Sequence, residues 1–133
     1  MNLIAVDCVV ALGALIFGLG FATTALRTKS GALTDSGSDP AAPLYKFVRA
    51  HGNTAEYAPF LAVLILYLGD HNPATWVVWT MVAATLFRYL LVAGMIFPAT
   101  MARPSPLRVI GAIGTYCAGA ALCVAMIIAR TPH

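Results

Sequence analysis

Four long apolar runs divide the chain. They extend from Leu3 to Leu26, from about Leu44 to Leu68, from Trp76 to Phe97 and from Leu107 to Ala129. Each can cross a hydrocarbon core of about 30 Å at about 1.5 Å rise per residue. The runs are continuous rather than alternating, so they predict helices and not the strands of a membrane barrel. The second, third and fourth runs are preceded by one signal, Asp39-Pro40, Asn72-Pro73 and Ser105-Pro106. In each, a short polar side chain can cap free backbone N–H groups, and proline follows where its missing N–H costs nothing. The stretch from Thr28 to Ser38, rich in Gly, Ser and Asp, predicts a long loop. The short break at Asp70 and His71 predicts a tight antiparallel hairpin of the second and third helices.

Composition narrows the class. Of 133 residues, 60% are hydrophobic and 10% are charged, and the mean hydropathy is +0.84. A soluble domain carries about 25% charged residues, so this chain lacks the polar surface to cover itself in water. An ordinary soluble enzyme, a disordered chain and a disulfide-knotted secreted domain are thereby excluded. The fold expected is all-α, a single four-helix integral membrane bundle over residues 1–133. The first run has no basic residue before it and is long enough to span, so it reads as a membrane helix rather than a cleavable signal.

Charge changes the picture through position. There are 8 basic and 5 acidic residues, too few for a nucleic-acid surface. Arg27, Lys29 and Lys46 flank the first loop and Arg103 and Arg108 the third, with only Arg130 on the opposite side. The positive-inside rule then predicts that loops one and three are cytoplasmic and both termini lie outside. Trp76 and Trp79 fall at the outer interface. Short length and richness in alanine point to a bacterial inner membrane. Ala14, Gly18 and Ala22 on helix one, and Gly114 and Ala118 on helix four, recur every four residues. They read equally as close-packing stripes or as general Ala/Gly richness.

Little suggests a metal. Cys8, Cys117 and Cys123 lie in apolar runs without a CxxC or Cys/His pattern and read as small apolar thiols. His51 lacks a second ligand at i+4, His71 is in a loop and His133 is terminal. Asp7 suits the start of helix one and is given no role.

The polar residues inside the apolar runs are the informative ones. Lys46, Arg49, Asn53 and Glu56 form one stripe on helix two, at steps of three, four and three. Arg88 stands alone well inside helix three, where arginine costs roughly 2.5–3.5 kcal/mol on insertion scales. Counted from the hairpin, Glu56 lies roughly 18 Å down, and Asn53 and Arg88 roughly 22 Å. Arg88 is therefore expected to pair with Glu56, with Asn53 completing its hydrogen bonds, and such a buried pair can serve register alone. Tyr57 is expected to point away from Glu56, toward a subunit contact. Lys46, Arg49, Arg103 and Arg108 read either as cations snorkelling to headgroups or as the wall of an anion cleft.

The segment Arg49-Ala50-His51-Gly52-Asn53-Thr54-Ala55-Glu56-Tyr57-Ala58-Pro59-Phe60 resembles the MAPEG family, the membrane-associated proteins in eicosanoid and glutathione metabolism. The pattern is R-A-x-x-N-x-x-E-x-x-P at the start of the second of four helices. Arg88 and Pro106-Leu107-Arg108 also fall where the family has comparable residues, so the resemblance covers nearly the whole chain.

It implies a homotrimer that binds glutathione as co-substrate at the cytoplasmic half of a subunit interface. Arg49, Asn53, Glu56, Tyr57 and Arg88 would bind the tripeptide. Arg108, with Arg103 as second candidate, would stabilise its thiolate against a lipophilic electrophile. The chain departs from the catalytic eicosanoid members at Met95, where they have a tyrosine, and Ala112 offers no hydroxyl one turn after Arg108. Gly52 stands where some relatives carry a bulkier side chain. The second expectation is therefore a non-catalytic lipid-binding or accessory subunit on the same scaffold. A transporter fits less well, with one deep charge pair and no inverted repeat.

Overall fold

All four apolar runs are helical in the computed structural model, which describes residues 1–32, 34 and 36–129. The helices are α1 (Leu3–Ser30), α2 (Pro43–Asp70), α3 (Thr75–Ile96) and α4 (Pro106–Ala129), with no strand among the described residues. Arg130 and His133 lie outside the described residues.

The capping signal holds at one of its three places. The Ser105 hydroxyl accepts from the Arg108 N–H at 3.3 Å and Pro106 opens α4. Asp39-Pro40 instead forms a turn ahead of α2, where the Asp39 carboxylate accepts from the Ala41 N–H at 2.9 Å. That helix begins three residues later, after Ala42, with Pro43 in its first turn and no side-chain cap. Asn72 adopts a left-handed conformation, φ 48°, a region asparagine tolerates better than most residues. It reverses the chain between α2 and α3, and α3 starts after Ala74 without a side-chain cap. The dipeptides thus mark where helices are interrupted, while the neighbouring proline sets the start only where the polar residue directly precedes the helix. The cap of α1 is Asn2, whose side-chain oxygen accepts from the Ile4 and Ala5 N–H groups at 2.9 and 3.4 Å. This helix also runs one turn further than its apolar run, to Ser30.

Neighbouring helices run antiparallel, tied at both ends of the bundle. At one end the Asn2 N–H donates to the Gly69 carbonyl at 2.8 Å, and the terminal amine lies 3.5 Å from the Asp70 carboxylate. At the other, the Met101 N–H donates to the Pro40 carbonyl at 2.9 Å. There the buried Lys46 ammonium donates to the Pro98 and Ala99 carbonyls at 2.7 and 3.1 Å. The second end collects Arg27, Lys29, Lys46, Arg103 and Arg108; Trp76 and Trp79 are exposed near the first.

Three helices, α1, α3 and α4, are long and apolar enough to cross a membrane, which fits an integral membrane protein. The fourth expected span is corrected. At 28 residues α2 is about 42 Å long, but Lys46, Arg49, Asn53 and Glu56 lower its hydropathy. It packs against all three of the others.

Packing centres on α2 and α3. The largest contacts are α3 with α4 and α1 with α2; α2 and α3 meet across the middle, and among the described residues the backbones of α1 and α4 do not approach closely. Leu12, Leu61, Ile65, Met81 and Leu122 fill the main core, and Leu15, Leu19, Leu91, Val92 and Met95 form a second cluster toward the basic end. Phe17, Phe21, Trp79 and Ile113 point outward. In lipid these side chains carry no penalty, and helix association rests on close packing and polar contacts instead.

Glycines permit that closeness on both sides of the bundle, Gly69 of α2 against Ala5 of α1 and three more between α3 and α4. A Cβ on Gly94 would stand 2.7 Å from the Arg108 Cα, and one on Gly111 2.6 Å from the Leu91 Cα. Gly114 faces the Phe87 ring in the same way. Helix four therefore uses the close-packing reading of its stripe, extended to Gly111. On α1, Gly18 has open space around it, and Ala14 beside it is exposed. Gly94→Ala is expected to lower stability by about 1–3 kcal/mol, the usual cost of overpacking. Gly18→Ala should be neutral or slightly stabilising. Thermal unfolding of the two variants in detergent checks this difference.

Candidate functional site

Among the described residues Arg88 is the largest fully buried side chain, with 1% exposure. It projects from α3 toward α2 rather than toward lipid. Its Nη2 donates to the Asn53 carbonyl at 3.1 Å, to the Asn53 Oδ1 at 2.9 Å and to the Thr54 Oγ1 at 3.4 Å. The guanidinium carbon stands 5.2 Å from the centre of the Tyr57 ring, within cation–π range. The Nε has no hydrogen-bond partner among the described residues.

The expected Arg88–Glu56 ion pair is therefore not formed. Depth arithmetic placed the right residues at one level, but level is not azimuth. On α2, Asn53, Thr54 and Tyr57 turn toward α3, whereas Glu56 turns toward the exposed side of the helix. There it makes no ion pair or hydrogen bond among the described residues. Tyr57 points away from Glu56, as expected: the ring lies under Arg88 and packs on Tyr116 of α4, with ring centroids 5.8 Å apart.

The exposed side of α2 forms a cleft with α3 and α4. Its volume is about 380 Å³, and its polar walls include Arg49, Asn53, Glu56 and Arg108. Gly52, Met95 and Ala112 leave space in it. Four positions spread over 60 residues of sequence are thus brought to one concavity near the basic end. Arg108 is held there by the α3–α4 loop, its Nη1 donating to the Met101 carbonyl at 3.3 Å. The loop is fastened in turn by Lys46 and by the Ser105 hydroxyl, which donates to the Gly94 carbonyl at 2.8 Å. Arg103 is exposed on the same loop and does not line the cleft. Arg88 lies behind the wall and does not itself line the cleft. His51 packs against Gly20 on α1, away from it. Among the described residues no group of three His, Cys, Asp or Glu side chains could hold a metal ion.

A second concavity continues from the first, deeper along α2 and α4. It measures about 340 Å³ and is lined by Tyr57, Phe60, Leu61, Leu64, Ala120 and Cys123 among others. Glu56 and Tyr116 belong to both. A polar half able to hold an anion thus opens onto an apolar half able to hold a hydrocarbon. Sequence reading missed Tyr116. Its signal was the spacing of positions 108, 112 and 116, which share one face of α4.

These contacts predict a contrast. Asn53→Ala is expected to cost about 1.5–3 kcal/mol, because it strips the closest acceptor from a buried cation. Glu56→Gln should change stability by less than about 0.5 kcal/mol, as exposed substitutions usually do. Chemical denaturation in micelles measures both; a large loss for Glu56→Gln would restore the ion pair.

The sequence model of the MAPEG family matches residues 6–128. No curated protein and no solved structure matches the chain.

Proposed function

Since the chain belongs to the MAPEG family, we propose that it is a membrane-bound glutathione transferase or peroxidase-like protein acting on a lipophilic electrophile. The observation that carries this reading is the junction of a polar, doubly arginine-lined cleft with an apolar groove. Glutathione is an anionic, polar tripeptide, whereas its acceptor is apolar, so the two halves match the two reactants.

Roles follow from charge. Arg49 takes a glutathione carboxylate, Glu56 takes its ammonium group and Asn53 hydrogen-bonds its amides. Arg88 and Tyr57 fix the segment of α2 that carries these groups. Arg108 faces the thiol. A free thiol near pKa 8.5 is mostly protonated at neutral pH, and a guanidinium beside it favours the thiolate. The thiolate sulfur then attacks an electrophilic carbon, or the peroxide oxygen of a lipid hydroperoxide, bound in the groove.

Assembly is part of this reading. Arg49 and Glu56 are exposed on the flank of one chain, and Glu56 lies near the middle of α2, where an ionised side chain facing lipid costs roughly 2.5–3.5 kcal/mol. A homotrimer that encloses this flank removes that cost and completes the binding site. The basic end of the bundle lies on the cytoplasmic side, as the positive-inside rule requires.

Met95 and Ala112 favour a second reading, a non-catalytic lipid-binding or accessory subunit. Both line the cleft, and neither can supply a proton. Turnover decides between the two. The purified wild type should conjugate glutathione to a lipophilic electrophile. Arg108→Ala should slow that reaction by about 100-fold, the usual cost of removing a group that stabilises developing negative charge. Arg49→Ala should instead weaken glutathione binding by about 10-fold or more, as loss of a charge-assisted hydrogen bond does. Unchanged conjugation in Arg108→Ala would exclude the thiol-activating role, and no turnover by the wild type would leave the accessory reading.

A further inference from the structure

Arg108 stands in the first turn of α4, where the Ser105 hydroxyl accepts from its backbone N–H at 3.3 Å. Its guanidinium is less constrained. The only hydrogen bond of that group among the described residues goes to the Met101 carbonyl at 3.3 Å. A long arginine side chain near the headgroups has a competing place, with its charge snorkelled out to the phosphates. Whether the guanidinium lines the cleft therefore depends on where the Met101 carbonyl is held.

That carbonyl is held from α2. Residues 97–105 form an irregular loop with no helix or strand of its own. The Lys46 ammonium donates to the Pro98 and Ala99 carbonyls at 2.7 and 3.1 Å. These lie just past the end of α3, where unpaired carbonyls and the helix dipole favour a cation. The Met101 N–H adds one bond, to the Pro40 carbonyl at 2.9 Å. Lys46 thus grips the loop two residues before Met101. It is itself 9% exposed and does not line the cleft.

We propose that Lys46 is a positioning residue, which keeps the Arg108 guanidinium at the thiol by clamping the α3–α4 loop to α2. This assignment rests on the transferase reading above. Among the described residues the cleft also presents Arg49 and Glu56 from α2 and Tyr116 from α4, whereas α3 contributes only Leu91 and Met95. Arg49 and Glu56 keep their direction without Lys46, because Arg88 sets the rotation of α2 through Asn53 and Thr54. Loss of Lys46 then releases the thiol-activating group and leaves the tripeptide-binding groups in place.

The test follows glutathione conjugation to chlorodinitrobenzene in wild type, Lys46→Met, Lys46→Arg and Lys29→Gln across pH. In this reaction the sulfur–carbon bond forms, chloride leaves and the thiol proton passes to water, so kcat reads the thiolate. In Lys46→Met, kcat at neutral pH should fall by about 10- to 100-fold, the range for misplacing a reacting group from a distance. The rising limb of kcat against pH should move up by about one unit, toward the free thiol near 8.5. KM for glutathione should stay within about 2-fold. Lys46→Arg, which keeps donors for both carbonyls, should restore most of the rate. Lys29→Gln removes an exposed charge from the same end and should change nothing. An unchanged pH limb in Lys46→Met would overturn the assignment. So would a rise in KM at constant kcat, or an equal loss in Lys29→Gln. Should Lys46→Met not fold, Lys46→Gln is read in the same way; if neither folds, Lys46 holds the bundle rather than the guanidinium and the assignment falls. If the wild type does not turn over, the transferase reading itself fails and this assignment with it.

Discussion

A guanidinium enclosed by apolar helices has to be met by oxygen atoms, and the arrangement of this protein follows from how Arg88 is met. Its partners are an amide, a backbone carbonyl and a hydroxyl, all on one turn of α2. Neutral acceptors stabilise the cation without burying a second charge, so the desolvation of a full ion pair is avoided. The contact also fixes the rotation of α2 about its own axis. With Asn53, Thr54 and Tyr57 turned inward to Arg88, Arg49 and Glu56 have to face out. The buried cation thereby sets the direction of the functional face.

A second polar device works at the basic end. Lys46 is buried, and both of its hydrogen bonds go to carbonyls of the α3–α4 loop. The same loop supplies the carbonyl that holds Arg108. Gly94 lets the start of α4 approach α3 at backbone distance. A loop in contact with headgroups would otherwise be free to move, and with it the guanidinium at its end. The basic residues have different surroundings: Arg103 stays exposed, Arg108 turns into the cleft, and Lys46 closes the bundle.

The outer surface separates two tasks. Large apolar side chains on α1 and on the outer faces of α3 and α4 suit lipid. The flank of α2 carries ionisable groups at the same depth and does not. Homotrimer formation with glutathione between subunits resolves that conflict under the proposed function, since it gives the charged flank a wet, protein-lined setting. Under the same proposal, the continuous polar and apolar concavities would let a polar reagent and one from the bilayer meet without either leaving its own phase.

The order of helices, their membrane-crossing length and the basic bias of one end were determined by the sequence alone. These depend on hydrophobic runs and on where Lys and Arg interrupt them, which are local quantities. The family was legible too, in the spacing of Arg49, Asn53 and Glu56, and so was the level at which Arg88 meets α2. The partner of Arg88 was not legible, because residues three apart on a helix differ in direction by most of a right angle, and only packing against α3 decides which one faces inward. Nor were the caps ahead of α2 and α3, where tertiary contacts at the bundle ends shift the first helical turn by a few residues. Tyr116 gained its place only when α2 and α4, far apart in the chain, were laid side by side. Helix identity is written residue by residue; rotation and adjacency are properties of the packed set, and the chemistry of the cleft depends on those.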